Sequence, residues 1–162
     1  MEETNTKKEE TKAVSSPQID ENNYQSCGNL HDYTHKPDDK FRFYFYDKNK
    51  VALEVTVITD TMVRFRYAPE GTFPDDFSYA IDPRFEGDVV ELKYARHKHH
   101  FEIKTRDVVC KINDKHLTVS IENHHGKVIN RDNRGFLFKE NKEFGGYYVE
   151  GEKQIQQNEC FY

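Results

Sequence analysis

At 162 residues the chain has room for one domain with a core of its own, or for a smaller domain and a tail. It is 35% hydrophobic and 33% charged, with a formal net charge of −5 at pH 7. This balance excludes the basic stripe of a nucleic-acid binder, and no stretch approaches the ~18 apolar residues of a membrane-spanning helix, so neither nucleic acid nor a membrane is expected as a partner.

The polarity is uneven. Residues 1–26, MEETNTKKEETKAVSSPQIDENNYQS, hold few apolar side chains. Such a segment buries too little surface to offset its ordering entropy, which predicts a disordered polar arm ahead of a folded unit over 27–162. The N-terminal lysines are followed by no apolar run, so no signal peptide is visible. Three widely spaced cysteines, Cys27, Cys110 and Cys160, make neither a CxxC pair nor an even disulfide set. The expected setting is reducing and cytoplasmic.

In chain order, FRFYFY (41–46) reads as an aromatic strand that ends at the turn cluster Asp47-Lys48-Asn49-Lys50. VALEVTVIT (51–59) alternates, with Val51, Leu53, Val55 and Val57 on one face and Ala52, Glu54 and Thr56 on the other. After a turn at Thr59-Asp60-Thr61, MVRFRYA (62–68) alternates again, with Val63, Phe65 and Tyr67 on one face and Met62, Arg64 and Arg66 on the other, so the two runs predict a hairpin. PEGTFPDD (69–76) is a loop, FSYAI (77–81) a short strand, and 82–96 carries no clear pattern. FEIKTRD (101–107) and VVCKIN (108–113) follow as strands. A turn at 113–115 leads into HLTVSIE (116–122), with Leu117, Val119 and Ile121 inward. Turns at 123–126 and 132–135 bound KVIN (127–130) and FLF (136–138), and Gly145-Gly146 precedes YYVEGEKQI (147–155). Nowhere do apolar residues recur at helical spacing over three turns. Short strands punctuated by polar turns predict an all-β, antiparallel β-sandwich.

Chemistry-bearing groups are few. Asp75 and Asp76 are the densest acidic pair, but neighbours on one loop do not face each other across a glycosidic bond, and a solvated turn accounts for them. In HKHH (97–100), His97 and His99 on a strand would share a face with spacing for two metal ligands, and His124 and His125 lie further on. Exposed histidines on a polar strand are the plainer reading, and no metal ligand set is assigned. Cys110 sits in an apolar run and reads as a buried thiol. Gly145-Gly146 lacks the spacing and following helix of a phosphate loop, and no serine stands in a nucleophile elbow. The tyrosines permit a sugar platform, although rings that alternate in strands are ordinarily core. The residues by themselves define no catalytic, cofactor or metal site.

Three stretches in order carry a resemblance. VITDTMVRFRYAPEGTFPDDFSYAI (57–81), FEIKTRDVVCKINDKHLTVSIENHHGKVINRD (101–132) with its G-x-V-I-x-x-D ending, and QNECFY (157–162) resemble the N-terminal region of glycoside hydrolase family 31 enzymes, the α-glucosidase and α-xylosidase group. The resemblance implies a galactose-mutarotase-like sandwich placed before a (β/α)8 barrel. The barrel would carry the aspartate nucleophile and acid/base for retaining hydrolysis of α-glycosides. In the family, the run resembling 157–162 leads into a Gly-Leu-Gly motif, so the chain is expected to be a fragment that stops short of the barrel. The implied partners are that barrel, within the same parent chain, and the parent's oligosaccharide substrate. No family site residue maps onto this chain, and none is assigned. A stand-alone carbohydrate-binding or protein-interaction sandwich is the alternative.

Overall fold

The computed structural model describes residues 23–36, 41–75, 88 and 91–155. Among the described residues, twelve strands form in chain order: β1 (Gln25–Ser26), β2 (Leu30–His35), β3 (Arg42–Asp47), β4 (Ala52–Val57), β5 (Val63–Ala68), β6 (Leu92–Arg96), β7 (His100–Thr105), β8 (Val108–Asn113), β9 (Val119–Asn123), β10 (Val128–Arg131), β11 (Leu137–Glu140) and β12 (Tyr147–Glu150). They make a four-stranded sheet in the order β2-β3-β4-β5, a five-stranded sheet in the order β10-β9-β8-β7-β6, and a small sheet in the order β1-β11-β12. Strand pairing within the sheets is antiparallel. The expected antiparallel β-sandwich is the fold.

Period-two patterning sets what is buried. On β3, Phe43 and Phe45 point inward; on β4, Leu53, Val55 and Val57 do the same; Phe101 and Ile103 of β7 and Cys110 and Ile112 of β8 answer them from the other sheet. Phe138 of β11 and Phe136 just before it join the same cluster. Each such side chain contributes roughly 1.5–3 kcal/mol on full burial, so this interface between the sheets dominates the stability of the domain. Phe101 is its centre, with ring centroids of Tyr33, Phe45, Phe43 and Tyr94 at 4.8, 5.2, 5.9 and 6.1 Å.

The β4–β5 hairpin follows the sequence reading, with Leu53 opposite Tyr67 and Val55 opposite Phe65. The reading of 116–122 as one strand needs correction. Lys115–Leu117 forms a single 3-10 turn, with His116 at φ +55° and Leu117 at φ +49°, and the strand starts only at Val119. Left-handed backbone is strained for non-glycine residues. Here it is held from several sides: His116 N donates to Asn29 Oδ1 at 3.1 Å, His116 Nδ1 lies 3.0 Å from Cys27 O, and Cys27 Sγ donates to His116 O at 2.9 Å. The bend still drops Leu117 into the core, so its inward assignment holds although its strand assignment does not.

Pairing also begins earlier than the sequence implies. Gln25 and Ser26, the last residues of the segment read as an arm, pair with Phe138 and Leu137. Their side chains are exposed and leave no hydrophobic signal, since backbone hydrogen bonding alone makes this edge strand. Residues 1–22 and the strand expected at 77–81 lie outside the described residues, as do Asp76, Cys160, Phe161 and Tyr162.

Cys27 and Cys110 are buried free thiols. Burial is the main cause that pushes both thiol pKa values up to about 12. At pH 8 only about one thiol in ten thousand would then be thiolate, the reactive form. With a thiol-alkylating reagent at pH 8, the native chain is expected to be modified at neither residue, and at both once unfolded in guanidinium. Peptide mapping that finds either one labelled in the native state would contradict this burial.

Candidate functional site

Among the described residues, the most exposed apolar feature is built by the β11–β12 hairpin. Its loop, residues 141–146, closes through Asn141 N donating to Gly146 O at 2.9 Å, while Asn141 Oδ1 accepts from the amides of Glu143 and Phe144, each at 3.2 Å. Gly145 and Gly146 both sit at φ +76°, a conformation open to glycine and strained for other residues. This explains the glycine pair that the sequence could not turn into a phosphate loop. The Asn141 bonds fix Phe144 at the tip, where it is 79% exposed, and the strand behind it exposes Tyr148 and Val149. Beside the hairpin lies a cavity of about 840 Å³, walled by Phe138, Tyr147 and Tyr148 with Gln25, Asn49 and Glu143 among the polar groups. Tyr147 donates its hydroxyl to Glu70 Oε1 at 3.1 Å, a bond that pushes its pKa up.

A second group lies on the outer face of the five-stranded sheet. The turn between β6 and β7 falls at Lys98-His99, and His97 N donates to His100 O at 2.9 Å. The chain reverses there, so His97 and His99 do not share a strand face. His97 instead stacks on His100 with ring centroids 4.7 Å apart, and Glu102, two residues along β7 on the same face as His100, completes the group. Burial first, then the neighbouring His97 and Lys111, holds the His100 pKa below the ordinary histidine value. His124 and His125 are exposed in the β9–β10 turn. Asp75 is exposed in the loop after β5.

The model of the glycosyl hydrolase 31 N-terminal galactose mutarotase-like domain matches residues 52–162. The chain belongs to this family. In fold this GH31 N-terminal domain is similar to part of the GH31 α-xylosidase of Xanthomonas citri, at 19% identity and a TM-score of 0.64, covering 77% of this chain and 14% of that one. It is also similar to part of the Flavobacterium johnsoniae GH31 dextranase, whose complex with glucose matches at 16% identity and a TM-score of 0.56, covering 74% of this chain and 16% of that one. The dextranase complex with isomaltotriose matches at 17% identity and a TM-score of 0.55, over 71% of this chain and 15% of that one. The chain thus spans about one-seventh of the length of these enzymes. Comparison with curated proteins finds no match.

The stretches that carry the family likeness have structural roles in the GH31 domain. In the Arg64-Phe65-Arg66-Tyr67 run, Tyr67 packs on Phe136 at 4.3 Å inside the core, while the arginines lie on the outer face of the four-stranded sheet. Both approach the buried carboxylate of Glu54, each at 3.5 Å from Oε1. Arg66 also donates to Pro74 O at 2.8 Å and stands over the ring of Phe73 at 5.3 Å. That clamp draws residues 73–74 onto the sheet. Asp132, the last residue of the G-x-V-I-x-x-D pattern, accepts from Val119 N at 2.7 Å and from Lys153 Nζ at 2.6 Å, tying β9 to the segment after β12. From sequence Glu54 is assigned only to the face away from Leu53 and Val55; Arg66 directly opposite it on β5, with Arg64 two residues away, is the signal for a buried carboxylate.

Proposed function

We propose that this chain is a non-catalytic accessory domain at the N-terminal side of an α-glycosidase, packing against the catalytic barrel of the same enzyme and walling part of its substrate pocket. The parent would hydrolyse α-linked oligosaccharides with retention, in the cytoplasm. The observation that carries the reading is the loop tip. An aromatic ring held out by an ordered turn, with Tyr148 and Val149 behind it, is an apolar projection suited to burial against another domain. Family membership and the GH31 neighbours support the same assignment.

An immunoblot of source cells, with an antibody raised against this domain, tests the proposal. A (β/α)8 barrel adds ~250 residues, so the expected band lies above roughly 45 kDa. A band at 19.2 kDa would overturn it. A stand-alone carbohydrate-binding module is the second reading, favoured by the cavity beside Tyr147 and Tyr148. It requires heat on calorimetric titration of this chain with α-glucans, and flat titrations remove it.

A further inference from the structure

We propose that His97, His100 and Glu102 form a binding site for a divalent transition-metal ion of the zinc class. The fold brings them together from the β6–β7 hairpin. His97 follows the last residue of β6, and His100 and Glu102 stand two apart on β7, where strand geometry puts them on one face. One potential ligand atom from each lies within 4.8 Å of the others.

The two imidazoles face one carboxylate. His97 Nε2 is 4.0 Å from Glu102 Oε1, and His100 Nε2 is 3.9 Å from Oε2. These gaps are too long for hydrogen bonds. Two metal–ligand bonds of roughly 2.0–2.2 Å each can span them with a small side-chain adjustment. Among the described residues, His100 Nε2 is enclosed and meets no hydrogen-bond partner. A buried ring nitrogen left in that state is unfavourable, and coordination would satisfy it. The side of the site formed by His97 is open to solvent, which provides an entry path.

The donor set decides the class of ion. Two imidazole nitrogens and one carboxylate suit zinc and its first-row neighbours, whereas calcium and magnesium select all-oxygen sites. Two nearby cations are already engaged: Lys111 Nζ lies 2.7 Å from Glu122 Oε2, and Arg96 lies 2.8 Å from Asp114 Oδ1. Three protein ligands leave further coordination positions for water. The ion would pin the turn that holds β6, an edge strand with most of its side chains exposed, to β7.

The test uses the 162-residue chain, purified without a histidine tag and stripped with a chelator. Calorimetric titration with zinc chloride at pH 7.5 is expected to show one saturable site. H97A, H100A and E102Q should each weaken it at least about tenfold, while H99A and H124A leave it unchanged. Zinc should raise the unfolding midpoint of the native sequence and not that of H97A. All three altered side chains are at least partly exposed, and circular dichroism confirms that each variant is folded. No uptake, or uptake that survives all three substitutions, overturns the site and leaves the trio an ordinary surface cluster.

Discussion

Phe101→Ala is expected to destabilise the domain by about 3–5 kcal/mol, the range for deleting a buried aromatic ring and leaving part of its volume empty. Phe101 projects from β7 into the opposite sheet, where it meets Phe43 and Phe45 of β3 and Tyr33 of β2, while Tyr94 of β6 flanks it. Few neighbours can collapse into the gap, because those rings are themselves fixed by strand pairing at Phe43–Val55 and Phe45–Leu53. Total domain stability is typically ~5–15 kcal/mol, so the variant should remain foldable in the cold yet unfold at much lower denaturant. Equilibrium urea titration checks this: the midpoint should fall sharply with little change in slope. Phe101→Leu, which keeps most of the apolar volume, should lose less than half as much. A loss below about 1 kcal/mol for alanine would show that the ring does not join the sheets, contrary to its position.

The second large effect is expected at Asp47, whose side chain is buried at the end of β3. Its Oδ1 accepts from Asn49 N at 2.8 Å and Val51 N at 2.9 Å, and its Oδ2 accepts from Gly28 N at 2.8 Å. One carboxylate therefore closes the β3–β4 turn and fastens the segment before β2 to it. The turn also holds Lys50 at φ +69°, a conformation unfavourable for lysine that the surrounding bonds maintain. Alanine would leave these amides without their charged acceptor. Hydrogen bonds to charged groups contribute ~1.5–3 kcal/mol each, and the exposed turn can recover part of this through water, so Asp47→Ala should lose about 3 kcal/mol in the same titration. Asparagine keeps the shape and one acceptor oxygen but turns an amide donor toward an N–H, and should lose about 1–2 kcal/mol. Equal losses for the two variants would mean that packing, not acceptance of hydrogen bonds, is the role of Asp47.

Elements whose signal is local are the ones legible in the sequence. β4 and β5 alternate in sequence, and polar turns bound the pair, so period two survives in the letters themselves. β2 is the counter-example. A register shift between Leu30 and Asp32 changes the phase, so Leu30 packs against the core and Tyr33, three residues on, reaches Phe101. A bulge of this kind erases the alternation that would announce a strand. β6 is hidden for another reason: it is an edge strand, and most of its side chains are exposed, although Leu92 packs on the core and Tyr94 on Phe101.

The same distinction separates the family from its surfaces. By itself the sequence determined an all-β chain, the inward faces of β4, β5 and β9, the positions of the main turns and, through three ordered stretches, membership of a GH31 N-terminal domain family. Each of these rests on patterns that neighbours in the chain carry. Only the tertiary structure decided that His97 meets His100 instead of His99, because a turn reverses the strand direction between them. Only it decided that Glu54 is buried between two arginines of the next strand, and that Phe144 stands out from an ordered loop. Those outcomes depend on register, on chain reversal and on which face another segment covers, and none of these is a property of adjacent residues.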